Sequence, residues 1–211
     1  MERTFLHVGC GSASRKNTTR GFVVDPWREV RLDINPDAKP DVIGTMTNMV
    51  GVADESVDAV FSSHNIEHLN AHEVPVALRE FARVLKADGF VVLTCPDLQS
   101  VCRLVAEEKL LEPAYISNAG PIAPLDILYG HRPALAQGNS FMAHRCGFTK
   151  SVLQGVLAAG GFVQTMVMQR EAPHFDLWAI ALKKPLQEQE LRSLVDLHFP
   201  QEQRTTIFVG G

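Results

Sequence analysis

The segment SSHNIEHL, residues 62–69, contains residue types that bind metals or transfer protons. His64, Glu67 and His68 fit the pattern H-x-x-E-H, in which two imidazoles could hold zinc and the glutamate could act as a base. The pattern fixes three positions and is weak on its own. A zinc protease also needs a stable helix and a third ligand, whereas the residues after His64 predict at most a short helical turn. We therefore expect no metal site here.

Short apolar runs alternate along the chain with segments of helical periodicity. This order is typical of a parallel sheet covered by helices on both faces. The clearest helix is expected from Glu73 to Leu85, and others from about Leu98 and after an N-cap at Thr149. The expected strands are residues 4–8, 29–34, 40–46, 57–63 and 90–96, then FVQTMVMQ and FDLWAIALKK, the last two close enough to pair antiparallel.

Composition and charge restrict the classes of protein that remain. The 211 residues are 45% hydrophobic, which suits one globular domain, and the net charge of −4 argues against a nucleic acid partner. No apolar run approaches a membrane span, and no signal peptide precedes the first strand. The four cysteines form no C-x-x-C pair. We expect a cytoplasmic protein without a membrane partner.

A glycine-containing loop follows the first expected strand directly. At Gly9 and Gly11 the backbone can approach a ligand where a side chain would clash. Asp33 ends the second strand, and a carboxylate there can accept hydrogen bonds from both hydroxyls of a ribose. Together these residues predict a ligand that contains a nucleoside.

The residues after the glycines distinguish between nucleoside ligands. NAD-type sites use G-x-G-x-x-G and place a pyrophosphate on a well-formed helix, but Ser14 replaces the third glycine here and RKNTTRGF lacks an apolar helical stripe. S-adenosylmethionine has no phosphate and does not need that helix. An NAD(P)-dependent oxidoreductase of Rossmann type remains the alternative.

Four segments, LHVGCGSAS, LDIN, ESVDAVFSSHNIEHL and REFARVLKADGFVVLTCPDL, together resemble the class I S-adenosylmethionine-dependent methyltransferases of the small, free-standing kind. The resemblance is close over residues 4–98 and loose over residues 147–184. It implies a Rossmann-like α/β fold with a seven-stranded, mostly parallel sheet whose last strand is antiparallel, and a cofactor over the strand carboxyl ends. The domain is expected over residues 1–184, with residues 185–211 as a C-terminal tail that includes a peripheral helix.

The resemblance also implies roles for individual residues. The glycines match those beside the methionine part of the cofactor, Asp33 matches the ribose carboxylate, and the loop at Thr45 flanks the adenine. Two positions differ from the usual pattern, since His7 and Thr45 each replace an aspartate; a non-catalytic cofactor-binding or partner-binding subunit is therefore a second alternative. The expected cofactor-binding residues are His7, Gly9, Cys10, Gly11, Asp33, Ile34, Thr45, Met46 and His64.

Three other residues have competing interpretations. Cys10 is expected to be a small buried side chain rather than a nucleophile. Asp97 follows the fifth strand and is either a base or the N-cap of the next helix. His68 is expected to be a structural, hydrogen-bonding imidazole.

Residues 112–147 are rich in Pro, Gly, Asn and His without periodicity, and they predict an irregular cap insertion after the fifth strand on the acceptor side. A surface loop with solvated histidines is the alternative. We expect His131 or His144 to position or deprotonate the acceptor, with His64 facing it from the sheet. The sequence thus predicts methyl transfer to a small-molecule acceptor. The polar and ring groups that the insertion supplies are Tyr129, His131, Arg132, His144 and Arg145.

Overall fold

A computed structural model describes residues 2–24 and 26–201 of the chain. In chain order its strands are β1 (Arg3–Val8), β2 (Trp27–Asp33), β3 (Val42–Ile43), β4 (Val57–Ser63), β5 (Leu85–Pro96), β6 (Tyr115–Ser117), β7 (Gly120–Ile122), β8 (Gln164–Arg170) and β9 (Asp176–Leu182). Its α-helices are α1 (Arg20–Val23), α2 (Val74–Val84), α3 (Leu98–Ala106), α4 (Pro124–Tyr129), α5 (Arg132–Ala136), α6 (Lys150–Ala159) and α7 (Glu188–His198).

The central sheet contains seven strands in the order β3-β2-β1-β4-β5-β9-β8. The first five strands along the chain pair in parallel, and β9 is antiparallel to both of its neighbours. The predicted Rossmann-like fold with an antiparallel last strand is therefore confirmed. Strand order reverses between β1 and β4, and ligands of open α/β sheets bind at the carboxyl ends of the strands beside such a point.

Each face of the sheet is covered by helices whose apolar side chains are buried. On one face α2 buries the stripe predicted from its periodicity, including Leu78 and Phe81, beside Leu153 and Leu157 of α6. On the other face α7 buries Leu191 and Val195 in a layer that also contains aromatic rings of the first strands. The tail helix α7 is thus part of the core rather than peripheral, while TTIFVGG lies outside the described residues.

Two strands, β5 and β3, differ from the predicted bounds by more than two residues at one end, and the other five central strands agree to within two residues. β5 starts at Leu85 instead of residue 90, because the register with β4 shifts between Val57 and Ala59 and the extra β5 residues are accommodated there. β3 is shorter than residues 40–46, since only Val42 and Ile43 pair with β2. Neither effect leaves a signal in apolar periodicity.

The insertion after β5 contains regular structure that the sequence analysis did not predict. It holds the hairpin β6–β7, the helices α4 and α5, and a 3-10 turn at Ser140–Met142. None of these elements exceeds 6 residues, which is too short for a hydrophobic period to be visible. None of the helices in residues 2–24 and 26–201 is long and apolar enough to cross a membrane.

Candidate active site

The residues singled out by the sequence analysis gather at one edge of the sheet. The glycine loop follows β1, Asp33 ends β2, His64 follows β4 and Asp97 follows β5. Because these strands are parallel, their carboxyl ends meet at this edge.

Asp33 and Gly11 form the centre of the expected cofactor half. Oδ2 of Asp33 accepts a hydrogen bond of 2.6 Å from the Gly11 amide, and Oδ1 accepts one of 2.8 Å from the Asn35 amide. Gly11 has φ +50°, and a Cβ placed on it would meet nothing within 4 Å. Each carboxylate oxygen retains acceptor capacity beyond its backbone bond. The loop is therefore open on the side from which a nucleoside could reach Asp33, and these residues fit the cofactor.

At Gly9, unlike at Gly11, a side chain would clash with a neighbouring residue. A Cβ there would lie 2.1 Å from Oδ1 of Asn65, so the missing side chain makes room for Asn65. The Asn65 amide donates hydrogen bonds to the carbonyl oxygens of Val8 and Ser63, and it thereby joins the ends of β1 and β4. Sequence reasoning did not single out Asn65, because an isolated asparagine after a strand carries no distinctive pattern.

His7 and Cys10 are buried beside the loop. Nδ1 of His7 lies 2.8 Å from Oε1 of Glu29, and burial lowers the pKa of His7 despite that carboxylate. Glu29 also accepts a hydrogen bond from the Arg15 amide, so His7 helps to fix the start of the loop. Burial raises the pKa of the Cys10 thiol, which suits a packed side chain rather than a nucleophile.

The expected adenine side combines an exposed apolar residue with a tight turn. Ile34 is 46% exposed immediately after Asp33, where it offers an apolar surface to a ligand. Thr45 bonds the Thr47 hydroxyl at 2.7 Å, and Met46 packs against the core. The Thr45 hydroxyl is thus held close to its own backbone turn.

His64 stands at the mouth of a cleft of about 240 Å³ next to this edge. It has φ +52°, which is uncommon for a residue with a Cβ, and its amide donates a 2.9 Å hydrogen bond to Thr94 of β5. Its side chain is half exposed, with Nδ1 3.5 Å from Oε1 of buried Glu67. Burial lowers the pKa of His64, but the interaction with Glu67 outweighs it and the pKa is raised.

The cleft brings together imidazoles from distant parts of the chain. His68 and His144 stack edge to face with ring centroids 4.9 Å apart, and His131 and His174 line the same space. Nδ1 of His68 lies 3.0 Å from the Ala143 carbonyl oxygen, in keeping with the expected structural hydrogen bond. His174 follows β8 and was not singled out from the sequence, because nothing near it forms a motif.

The remaining polar residues of the insertion support it rather than line the cleft. Arg132 forms a two-bonded ion pair with Asp126, which holds the pKa of that carboxyl at about 2. Tyr129 is 62% exposed, and the Arg145 amide donates to the Glu67 carbonyl. The insertion is thereby fastened to the segment after β4.

Asp97 is a helix cap. It is fully buried and accepts hydrogen bonds from the amides of Gln99 and Ser100 at the start of α3, and from the Gln169 side chain. These three hydrogen bonds occupy the Asp97 carboxylate in structural contacts. The alternative role as a base is therefore not supported.

Comparison with known proteins identifies a family to which part of the chain is similar. Residues 6–93 match the model of a family described as a methyltransferase domain. This range runs from β1 into β5 and contains the glycine loop, Asp33 and the His64 segment. A comparison with curated proteins gives no match.

Solved structures of low sequence identity share the fold. A possible histamine N-methyltransferase from Thermotoga maritima is 14% identical, with a TM-score of 0.54 over 87% of this chain and 84% of that one. A putative S-adenosylmethionine-dependent methyltransferase from Listeria monocytogenes is 14% identical, with a TM-score of 0.56 over 87% and 91%. The 1,6-didemethyltoxoflavin-N1-methyltransferase of Burkholderia thailandensis, with its substrate and S-adenosylhomocysteine bound, is 14% identical, with a TM-score of 0.55 over 86% and 71%.

The family match covers residues 6–93, from within β1 into β5, and the shared fold extends over 87% of the chain. One of these structures has S-adenosylhomocysteine bound, which is S-adenosylmethionine without its transferable methyl group. Residues 6–93 thus match a methyltransferase domain family, and the chain shares its fold with solved S-adenosylmethionine-dependent methyltransferases.

Proposed function

We propose that the protein transfers a methyl group from S-adenosylmethionine to a small-molecule acceptor bound in the cleft beside His64. The observation that carries this proposal is the cleft itself, which adjoins the strand ends and has a volume of about 240 Å³. Ligand pockets for drug-sized molecules are typically about 300–1,000 Å³, so this space suits a compact acceptor. The 1,6-didemethyltoxoflavin bound to the Burkholderia thailandensis enzyme is likewise a small molecule.

The cofactor half is proposed to use the glycine loop and the strand ends. Asp33 would accept from the ribose hydroxyls, Gly11 would leave room for the methionine part, and Ile34 would pack on the adenine. When bound, S-adenosylmethionine supplies a methyl group already activated by its sulfonium. The protein then accelerates transfer mainly by holding the acceptor in line with that group.

The acceptor half is proposed to use the histidines of the cleft. His64 faces the cleft from the end of β4, while His131 and His144 face it from the insertion. A hydroxyl acceptor gives up a proton during transfer, and a neutral imidazole within reach can take it. Burial lowers the pKa of His144 and disfavours its protonated form, so His144 is proposed to position the acceptor while His64 or His131 takes the proton.

Formation of S-adenosylhomocysteine tests the class of acceptor. The protein is incubated with S-adenosylmethionine and, separately, with a mixed set of small phenols, alcohols and amines, with a peptide mixture, and with RNA. We expect product in the small-molecule set alone. Product that forms with the peptide mixture or RNA and not with the small molecules would contradict the proposal.

A further inference from the structure

Glu67 has a buried carboxylate that lacks a hydrogen-bond donor. The residue is 1% exposed, and within the described ranges neither Oε1 nor Oε2 has a hydrogen-bond partner. The 3.5 Å from Oε1 to Nδ1 of His64 is long for a hydrogen bond. A buried charge is costly unless a cation or a metal ion compensates it. Half-exposed His64 is the nearest candidate cation at 3.5 Å, so the carboxylate has no close positive partner and leaves both oxygens available to a metal ion.

His68 and His144 lie beside this carboxylate, and each directs its Nδ1 at a backbone carbonyl oxygen. Nδ1 of His68 lies 3.0 Å from the Ala143 carbonyl oxygen, and Nδ1 of His144 lies 2.7 Å from that of Ile127. Because a carbonyl oxygen only accepts, each Nδ1 carries a hydrogen, and in the neutral tautomer that this selects the lone pair is on Nε2. Imidazoles oriented in this way by backbone carbonyls are typical metal ligands.

We propose that Glu67, His68 and His144 bind one divalent first-row transition metal ion in the cleft. One potential ligand atom from each of the three lies within 4.8 Å of those of the other two. Imidazole donors favour ions such as Zn²⁺ and Co²⁺, whereas Mg²⁺ and Ca²⁺ prefer oxygen ligands. This proposal replaces the sequence-based expectation of no metal.

The geometry differs from that of an H-x-x-E-H protease. The segment forms a single 3-10 turn at Ile66–His68 instead of a long helix. Glu67 serves as a ligand instead of a base, and the third ligand, His144, comes from the insertion. All three residues line the cleft, so the remaining coordination positions face the proposed acceptor space.

A role for the ion in catalysis rests on the proposed function, whereas its binding does not. An oxygen acceptor bound to the ion has a lowered pKa, which favours a hydroxyl-bearing substrate. The hydroxyl proton passes to His64, the acceptor oxygen forms a bond to the methyl carbon, and the carbon–sulfur bond breaks with its electron pair on sulfur. The sulfonium thereby becomes a neutral thioether, and the charges balance.

Calorimetric titration of the chelator-treated, full-length protein with Zn²⁺ tests the site without cofactor or acceptor. We expect one saturable site per chain, weakened more than about 100-fold in Glu67→Gln and His144→Ala, since loss of supporting groups alone costs about 10–100-fold. His174→Ala is the matched control, because His174 lines the same cleft outside the cluster, and it should bind like the wild type.

Cobalt absorption and thermal melting keep the test independent of folding defects. Co²⁺ bound to the wild type should give visible bands typical of nitrogen and oxygen ligands. The metal-free Glu67→Gln variant should melt no lower than the wild type, because it removes a buried charge that no hydrogen bond stabilises. A folded wild type without saturable Zn²⁺ or Co²⁺ binding, or wild-type affinity in both ligand variants, would overturn the proposal. Methyl transfer by metal-free protein would leave the proposed function intact and remove only the catalytic role of the ion.

Discussion

The guanidinium of Arg31 donates a hydrogen bond of 2.6 Å to the carbonyl oxygen of Gly11. It also donates to the carbonyl oxygens of Ala13 at 3.1 Å and Ala38 at 3.1 Å. One side chain on β2 therefore fastens the glycine loop to the turn that follows Asp33. The glycine loop and the turn after Asp33, both expected to contact the cofactor, are thus held by the same side chain.

Replacing Arg31 should loosen the loop and weaken cofactor binding. We expect Arg31→Ala to raise the dissociation constant for S-adenosylmethionine by about tenfold, because charge-assisted hydrogen bonds contribute about 1.5–3 kcal/mol. Calorimetry measures this change. Arg28→Ala is the control, since Arg28 lies on the same strand but is exposed. Equal affinities in the two variants would show that the support is dispensable.

Asp33→Ala should weaken S-adenosylmethionine binding by about tenfold or more, through loss of charge-assisted bonds to the ribose. The domain should stay folded, as monitored by circular dichroism. Asp37→Ala, an exposed carboxylate in the next turn, serves as the control. Unchanged affinity for S-adenosylmethionine in Asp33→Ala would contradict the proposal that Asp33 binds the ribose hydroxyls.

The cleft histidines should affect turnover more than cofactor affinity. Alanine at His64, His131 or His144 is expected to lower turnover of the true acceptor, by up to about 100-fold where the imidazole transfers the proton. The dissociation constant for S-adenosylmethionine should change little in each. His72→Ala, at an exposed position before α2, is the control. Full turnover in all three variants would contradict the proposal that these histidines position or deprotonate the acceptor.

His198 should make stability depend on pH. Burial lowers its pKa from 6.5 to about 3 in the folded protein, so between these values the unfolded chain binds the proton more strongly. The free energy of unfolding is therefore unaffected by His198 above about pH 6.5. Below that pH it decreases, by up to about 1.4 kcal/mol for each pH unit.

Urea unfolding at pH 7 and pH 5 measures the effect. The wild type should lose about 2 kcal/mol more than His198→Asn between these conditions, because asparagine does not titrate. Asparagine can still meet the Thr19 hydroxyl, which lies 2.6 Å from Nδ1 of His198. Parallel losses in the two proteins would show that another group causes the pH dependence.

Elements with strong local patterns could be predicted from the sequence. The apolar run of β4 gave its bounds at residues 57–63, and the stripe of α2 gave that helix to within one residue at each end. Thr149 also caps α6 as expected, since its side chain accepts from the Val152 amide. These features depend on neighbouring residues, which a single sequence displays directly.

Features that depend on long-range packing could not be predicted. Glu67 and His144 meet because the insertion folds back, through the bond from the Arg145 amide to the Glu67 carbonyl. No sequence pattern shows that contact. The same holds for Asn65, whose place against Gly9 depends on how β1 and β4 pair.

Calorimetric titration of the wild type with S-adenosylmethionine, S-adenosylhomocysteine and NAD⁺ tests most directly whether the edge formed by Gly11 and Asp33 is the site of the methyl donor. We predict saturable binding of the first two ligands with one site per chain, and no binding of NAD⁺. Binding of NAD⁺ in preference to S-adenosylmethionine, or no binding of either S-adenosyl ligand by the folded protein, would contradict the account.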